Sequence, residues 1–313
     1  MKKRILVTGG TGFIGANLVR RLVGEGYRPT LLLRKESNLW RVKDLTNSLD
    51  FLEAKLTDYD SLLKSLSKLK PDIIYHLAVY GAYQGTQKNV SETYTTNILG
   101  TVNLLDICSR LGFDYFVNTG SSSEYGIKNN PMKETDSLEP INHYGVTKVS
   151  GSLFCKVISL NTKLPIVTLR PFSPYGYFEE KKRFIPSVIV GAIKREQLNL
   201  SNPKYVRDFI FIDDLIDAYT YFLNGKKYYG EVFNIGSGHQ ISLGEVVKTI
   251  EKIIGYKIKV NWSKHSSNQM EPKVWQADIS KSNKLLGWKP KTNMNLGLKK
   301  TVEWFKNSLN KYE

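Results

Sequence analysis

Apolar residues run through the first half of the chain in two alternating textures. Short β-branched runs, Arg4 to Thr8, Thr30 to Leu33, Asp72 to Leu77, Tyr115 to Thr119 and Ile166 to Leu169, read as strands. Between them Gly12 to Gly24, Tyr59 to Leu69, Asn97 to Gly112 and Tyr144 to Leu160 space their apolar residues three and four apart, which predicts helices. The run Ile73-Ile74-Tyr75-His76-Leu77 lacks polar alternation, as a strand covered on both faces requires. Alternation of this kind predicts a doubly wound α/β domain over residues 1–172. After Pro171 the texture changes: Pro174, Gly176, Pro186, Asn202 and Pro203 cut the chain into short pieces. Strand-like Asp208 to Ile212 and Val232 to Ile235 follow, then two short helices, Ser280 to Leu286 and Leu296 to Leu309, with a turn at Pro290. A smaller lobe over 173–313 is expected, with 207–236 rejoining the first domain.

Composition narrows the class. With 41% hydrophobic residues among 313, the chain has ample material for a core. No window approaches the ~18 consecutive apolar residues of a transmembrane helix. The start, Met1-Lys2-Lys3-Arg4 before Ile5-Leu6-Val7, is too short for a secretory segment. A cytoplasmic protein with no membrane partner is expected. Cys108 and Cys155 lie in helical patterns among apolar residues, the setting of buried thiols. None of the four histidines, His76, His143, His239 and His265, is paired at ligand spacing, so no metal is expected. The net charge of +16 is compatible with a nucleic-acid surface, attraction of an anionic small molecule, or a Lys-rich exterior. The clusters Lys2-Lys3-Arg4, Lys181-Lys182-Arg183, Lys226-Lys227 and Lys299-Lys300 are far apart and mixed with acids, which argues against nucleic acid.

The first strand runs into Gly9-Gly10-Thr11-Gly12-Phe13-Ile14-Gly15 and then a helix. Glycines at three-residue intervals permit a tight turn and let the backbone approach a pyrophosphate at the helix N-terminus. The second strand ends in Arg34-Lys35, where an NAD-specific site usually carries an acidic residue on the adenosine ribose. Two cations there suit a 2′-phosphate, so NADP(H) is favoured over NAD(H). Tyr144 and Lys148 lie four apart on one helix face, where an ammonium favours the phenolate of a tyrosine whose ordinary pKa is ~10. Ser121-Ser122-Ser123-Glu124-Tyr125-Gly126 follows a buried strand and offers a hydroxyl for the same substrate oxygen.

These residues resemble the extended short-chain dehydrogenase/reductases acting on nucleotide-diphosphate sugars, an epimerase, dehydratase and reductase group. The resemblance covers nearly the whole chain. It includes Gly9 to Gly15, His76-Leu77-Ala78, Thr96 to Thr101, Ser121, Tyr144-x-x-x-Lys148, Leu169-Arg170-Pro171, Arg207-Asp208-Phe209, Asn234-Ile235-Gly236 and Ala277-Asp278. It implies a Rossmann-like fold with a smaller C-terminal α/β substrate-binding lobe. By the same resemblance Ser121, Tyr144 and Lys148 are catalytic, with Tyr144 moving the proton. The cofactor would touch Gly9, Gly12, Phe13, Ile14, Gly15, Arg34, Lys35, Leu77, Ala78, Asn97, Tyr144, Lys148 and Pro171. A nucleotide-diphosphate sugar would meet Ser122, Ser123, Glu124, Ser173, Arg183, Arg207 and Glu271.

Departures from the family pattern sort the chemistry. Dehydratases of the group carry acid and base directly after the active-site hydroxyl, whereas here Ser122 and Ser123 intervene before Glu124. On an extended segment that offset turns Glu124 to the opposite side. Ser-x-x-Glu-Tyr-Gly resembles the 4-keto-6-deoxy sugar reductases, so an NAD(P)H-dependent reductase acting at C4 is expected, with a 4-epimerase as the alternative. Ser173 stands where many epimerases have Asn, and Asn268 where a second diphosphate Arg is common. Either Lys273 or Arg183 supplies that charge, or the diphosphate is held more weakly, or Arg207 works with backbone amides. Leu104, Leu105, Leu153 and Phe154 extend beyond one helix face, and the resemblance implies a homodimer through a four-helix interface.

Overall fold

Runs of Ile, Leu, Val and Tyr that lose water on both faces build the centre of the protein. The computed structural model describes residues 3–82, 89–263 and 272–312. Its first elements are β1 (Ile5–Thr8), α1 (Phe13–Gly24), β2 (Thr30–Leu33), β3 (Asp50–Glu53), α2 (Tyr59–Leu69), β4 (Ile73–His76), α3 (Val90–Tyr94), α4 (Gly100–Leu111) and β5 (Tyr115–Thr119). Then come α5 (His143–Thr162), β6 (Ile166–Pro171), β7 (Pro174–Tyr175), α6 (Phe184–Lys194), β8 (Leu198–Leu200), β9 (Val206–Asp208), β10 (Ile210–Phe211) and α7 (Ile212–Thr220). Last are β11 (Glu231–Ile235), β12 (Gln240–Ser242), α8 (Leu243–Ile254), β13 (Val260–Trp262), α9 (Ser280–Leu286) and α10 (Met294–Ser308).

The chain forms two compact units. The first comprises Met1–Gly126, Asp136–Pro171 and Ile216–Phe233. Its seven-stranded parallel sheet has the order β11-β6-β5-β4-β1-β2-β3, the Rossmann-like arrangement read from the sequence. Leu6, Ile74 and Phe116 of the sheet pack with Leu62 and Leu66 of α2 and Leu104, Leu105 and Ile107 of α4 in one buried cluster. Each such side chain contributes about 1.5–3 kcal/mol by leaving water. Cys108 and Cys155 are buried free thiols, as expected.

The second unit comprises Ile127–Thr135, Phe172–Leu215 and Asn234–Glu313. Here the Asp208 carboxylate, fully buried, accepts from Ser237 N (2.7 Å), Ser237 Oγ (2.6 Å), Gly238 N (3.1 Å) and Ala277 N (2.9 Å). Ser242 and Glu245 close a capping box at the start of α8. Among the described residues no helix is long and apolar enough to cross a membrane.

Three local expectations need correcting. The single strand read over Asp208 to Ile212 breaks at Phe209, because β9 pairs antiparallel with β12 while β10 pairs parallel with β7. Pro186 does not interrupt the chain: it lies in the first turn of α6, where a missing N–H costs no helix bond. The helix read from Asn97 is preceded by α3 and is π-helical over Thr95–Leu99 before α4 begins.

Candidate active site

Strand order reverses between β1 and β4, and in doubly wound sheets the crevice beyond that switch point receives the ligand. The glycine loop and Leu77-Ala78 leave the sheet there, parallel neighbours in register. Gly9 has φ +69°, and a Cβ on it would meet the Leu77–Ala78 backbone at 2.7 Å. A Cβ on Gly15 would run into the Gly9 carbonyl. Gly12 differs: its φ of −78° suits any residue, and a Cβ there would meet only the Gly9 oxygen, at 3.3 Å. The protein's own packing therefore leaves open the space over Gly12. Gly12 caps α1 with no side-chain hydrogen bond to the first-turn amides. This uncapped helix start beside an open glycine fits a dinucleotide pyrophosphate. Phe13 and Gly15 are buried and Ile14 half-buried, so they offer backbone. Arg34 and Lys35, both exposed, follow β2, and Pro171 is buried at the end of β6.

A chain of hydrogen bonds with a fixed direction runs beneath the switch point. Thr101 Oγ1 donates to Asn97 O (2.6 Å), so it must accept from His76 Nε2–H (2.9 Å). His76 Nδ1 then accepts from Thr8 Oγ1 (2.8 Å), which accepts from Ala78 N (3.2 Å). Burial, followed by the charge of Lys148, pushes His76 down to about 3, so the ring stays neutral. Asn97 continues the network, accepting from Tyr80 N (2.7 Å) and donating to Tyr80 O (2.9 Å) and Thr147 Oγ1 (3.1 Å). In the sequence His76 figures only within the His76-Leu77-Ala78 match, with no role, and Thr8 only as a strand end; their signal is a polar residue at the end of each of two adjoining apolar strands.

Ser121 follows β5 and caps a short 3-10 turn, Ser122–Glu124, its Oγ accepting from Ser123 N (3.1 Å). Tyr144 sits in the first turn of α5, which Asn142 caps through Gly145 N (2.8 Å). A Cβ on Gly145 would strike Ser123 O at 2.7 Å, so the missing side chain lets the Tyr144 turn pack on the Ser121 turn. Lys148 Nζ donates to Thr119 O (2.8 Å) and lies 5.8 Å from the centroid of the Tyr144 ring. Burial lowers its pKa to about 8, with Glu124 opposing the shift, so the ammonium is retained at neutral pH.

Glu124 is not placed to meet a substrate. It is fully buried, on a 3-10 turn rather than the extended segment expected, with Oε1 on Ser121 N (2.8 Å) and Oε2 on Arg170 Nε (2.8 Å). Ser122 is also buried, while Ser123 is half-buried. In the second unit Arg207 lies 5.5 Å from the Trp275 ring centroid and donates to Val206 O (2.7 Å). Arg183 faces Glu179 (3.6 Å), Ser173 is half-buried and Lys273 exposed. Glu271 and Asn268 lie outside the described residues.

The NAD dependent epimerase/dehydratase family matches residues 5–236, from β1 to the residue after β11. The chain belongs to that family. An uncharacterized UDP-glucose epimerase of Bacillus subtilis is 31% identical, over 96% of this chain and 97% of that protein. The UDP-glucose 4-epimerase of Thermotoga maritima, solved with UDP-glucose, superposes with a TM-score of 0.89 at 26% identity, covering 98% of this chain and 99% of that one. The UDP-glucuronic acid 4-epimerase of Bacillus cereus, solved with UDP-glucuronic acid and NAD, has a TM-score of 0.86 at 31% identity, covering 97% and 99%. Among epimerase/dehydratase family relatives of this kind, the likeness favours the 4-epimerase alternative over the reductase expected from Ser-x-x-Glu-Tyr-Gly, and it does not support a preference for NADP.

Proposed function

We propose that this protein is an NAD-dependent 4-epimerase of a uridine-diphosphate hexose. The observation that carries the reading is the whole-length likeness to 4-epimerases, joined to a Ser121, Tyr144 and Lys148 set on one packed pair of turns. Bound NAD would accept the hydride at C4 and return it, leaving no net redox change. The chain's own residues handle the proton. Tyr144 takes it from the C4 hydroxyl as the hydride departs with its electron pair, and gives it back when the hydride returns. Ser121 keeps its hydroxyl proton for the same oxygen, because its accepting side is already engaged by Ser123 N. The Lys148 ammonium favours the Tyr144 phenolate, so less free energy is needed to form the base. Dehydration would need a carboxylate at Ser122 or Ser123, and both are serines. Arg207 is the proposed diphosphate ligand of the second unit, since a planar donor fork suits phosphate oxygens.

The reading includes a homodimer built on α5, where Leu153, Phe154, Val157 and Leu160 are 42–53% exposed along one stripe. Leu104 and Leu105, expected at the same interface, are instead covered within the first unit.

Protein incubated with UDP-glucose, UDP-galactose or UDP-glucuronic acid should equilibrate the C4 epimers, followed by NMR, without consuming added NADPH. Tyr144→Phe should lower kcat by about 10²-fold or more while the fold is kept. Stoichiometric NADPH oxidation with a 4-keto-6-deoxy sugar nucleotide, and no inversion at C4, would return the assignment to a reductase.

A further inference from the structure

Glu124 is a charged side chain with no exposure, one turn from the proposed active-site hydroxyl, and the reaction as derived does not use it. Its surroundings are built for it. Gly120 has no Cβ in the place where one would collide with Glu124 Oε1 and crowd Thr168 Cγ2 (2.9 Å) and Arg170 Cγ (3.1 Å). Oε1 accepts the Ser121 amide (2.8 Å), and Ser121 Oγ in turn accepts the Ser123 amide (3.1 Å). Oε2 accepts Arg170 Nε (2.8 Å), whose Nη1 donates to Tyr125 OH (2.9 Å) and whose guanidinium carbon lies 4.7 Å from the Tyr125 ring centroid. A buried ion pair is poor evidence of stability, because desolvating both charges offsets their attraction. Its retention beside Ser121 calls for another reason.

We propose that Glu124 is a positioning residue of the Ser121, Tyr144 and Lys148 site: it fixes Ser121 through the reciprocal cap and sets a buried negative charge behind Lys148. The inference rests on the epimerase reading only for its kinetic readout. Groups facing Lys148 are Tyr144 and Cys155 on α5, His76 at the end of β4, Glu124 on the turn after β5 with Arg170 of β6 behind it, and, next to Tyr144, Tyr219 of α7. His76 is held down to about 3, the Cys155 thiol is pushed up to about 12 by burial, and burial also raises Tyr219. Tyr144 apart, Glu124 is the one acid in this set held in an ion pair, its Oε2 2.8 Å from Arg170 Nε. Burial raises its pKa, and Arg170 opposes that shift.

Lys148 is read directly by NMR titration of protein labelled at the lysine ε-carbon, with Lys148→Arg assigning the signal. Glu124→Gln should lower the Lys148 midpoint by about half a pH unit or more. It should also lower kcat about tenfold with KM for UDP-glucose nearly unchanged, and move the alkaline limb of the pH profile to lower pH. An unmoved Lys148 midpoint with an unmoved limb overturns the proposal. Glu124→Val/Arg170→Leu replaces the pair by apolar residues and guards against a misfolded single variant: folded and with reduced kcat it supports the role, folded and fully active it refutes it. If the wild type inverts no UDP-sugar, the epimerase reading fails while the Lys148 titration still decides the place of Glu124.

Discussion

Within the glycine loop, Gly9 and Gly15 are demanded by neighbouring backbone and Gly12 is not. Gly12→Ala should therefore keep the unfolding free energy within about 1 kcal/mol of wild type, since a weaker cap and a stiffer unfolded chain nearly cancel. NAD affinity measured by calorimetry should nonetheless fall at least tenfold, about 1.4 kcal/mol. A loss of stability equal to the loss of binding would mean the glycine serves packing alone. A second residue makes a pH prediction. Glu179 is 3% exposed, and Oε2 has no hydrogen-bond partner among the described residues. Burial pushes its carboxyl up to about 8, with Arg183 opposing. The folded state thus binds more protons than the unfolded one between the ordinary carboxyl range and pH 8; the stability is present below that window and lost as pH rises through 8. Glu179→Gln should be more stable than wild type by on the order of 1–2 kcal/mol at pH 9, with the advantage gone near pH 4.5, read by urea denaturation. The glycines, Ser121, Tyr144 and Lys148 were legible because their types and spacing are local. The cap was legible too, since Ser121-x-x-Glu124 is a capping-box pattern, but an extended reading of the segment hid it.

At the scale of elements, strands buried on both faces declared themselves by unbroken apolar runs, and β1, β2, β4, β5 and β6 lie where those runs do. Helix α6 did not, because Pro186 reads as a breaker until its place in the first turn is known. The division at Phe209 depends on which distant strand each half meets, and β12 and β7 are remote in sequence. The outer face of a helix was equally opaque: Leu104 and Leu153 look alike in the chain, yet one is fully buried and the other 49% exposed. Helix α5, 20 residues long, spans about 30 Å, enough for its apolar stripe to meet a symmetry mate along its length. Phe154→Glu with Val157→Lys should convert the proposed dimer to a monomer by light scattering, with far-ultraviolet circular dichroism unchanged. A wild type that is monomeric at micromolar concentration would remove the dimer from the proposal.

At the scale of the whole molecule, the charge excess, which on its own fits nucleic acid, an anionic small molecule or a Lys-rich exterior equally, is distributed over a surface with many local pairs. Arg4–Asp72 and Arg20–Asp44, each at 2.6 Å, and Arg28–Asp50 at 2.8 Å are among them, and exposed pairs of this kind contribute little to stability. The sheet of the first unit has a more consequential property: its edge strand β11 is contributed from residue 231 onward, long after β6 ends at Pro171. During synthesis on the ribosome, β6 must wait, with one side unpaired, for residues 172–235, on the order of 3–13 s at ordinary elongation rates. An unpaired strand rich in Ile, Val and Leu is a template for other chains. A fragment ending at Pro171 should accordingly be recovered as aggregate, and supplying the remaining residues in trans should rescue solubility only if they arrive before that edge finds a foreign strand.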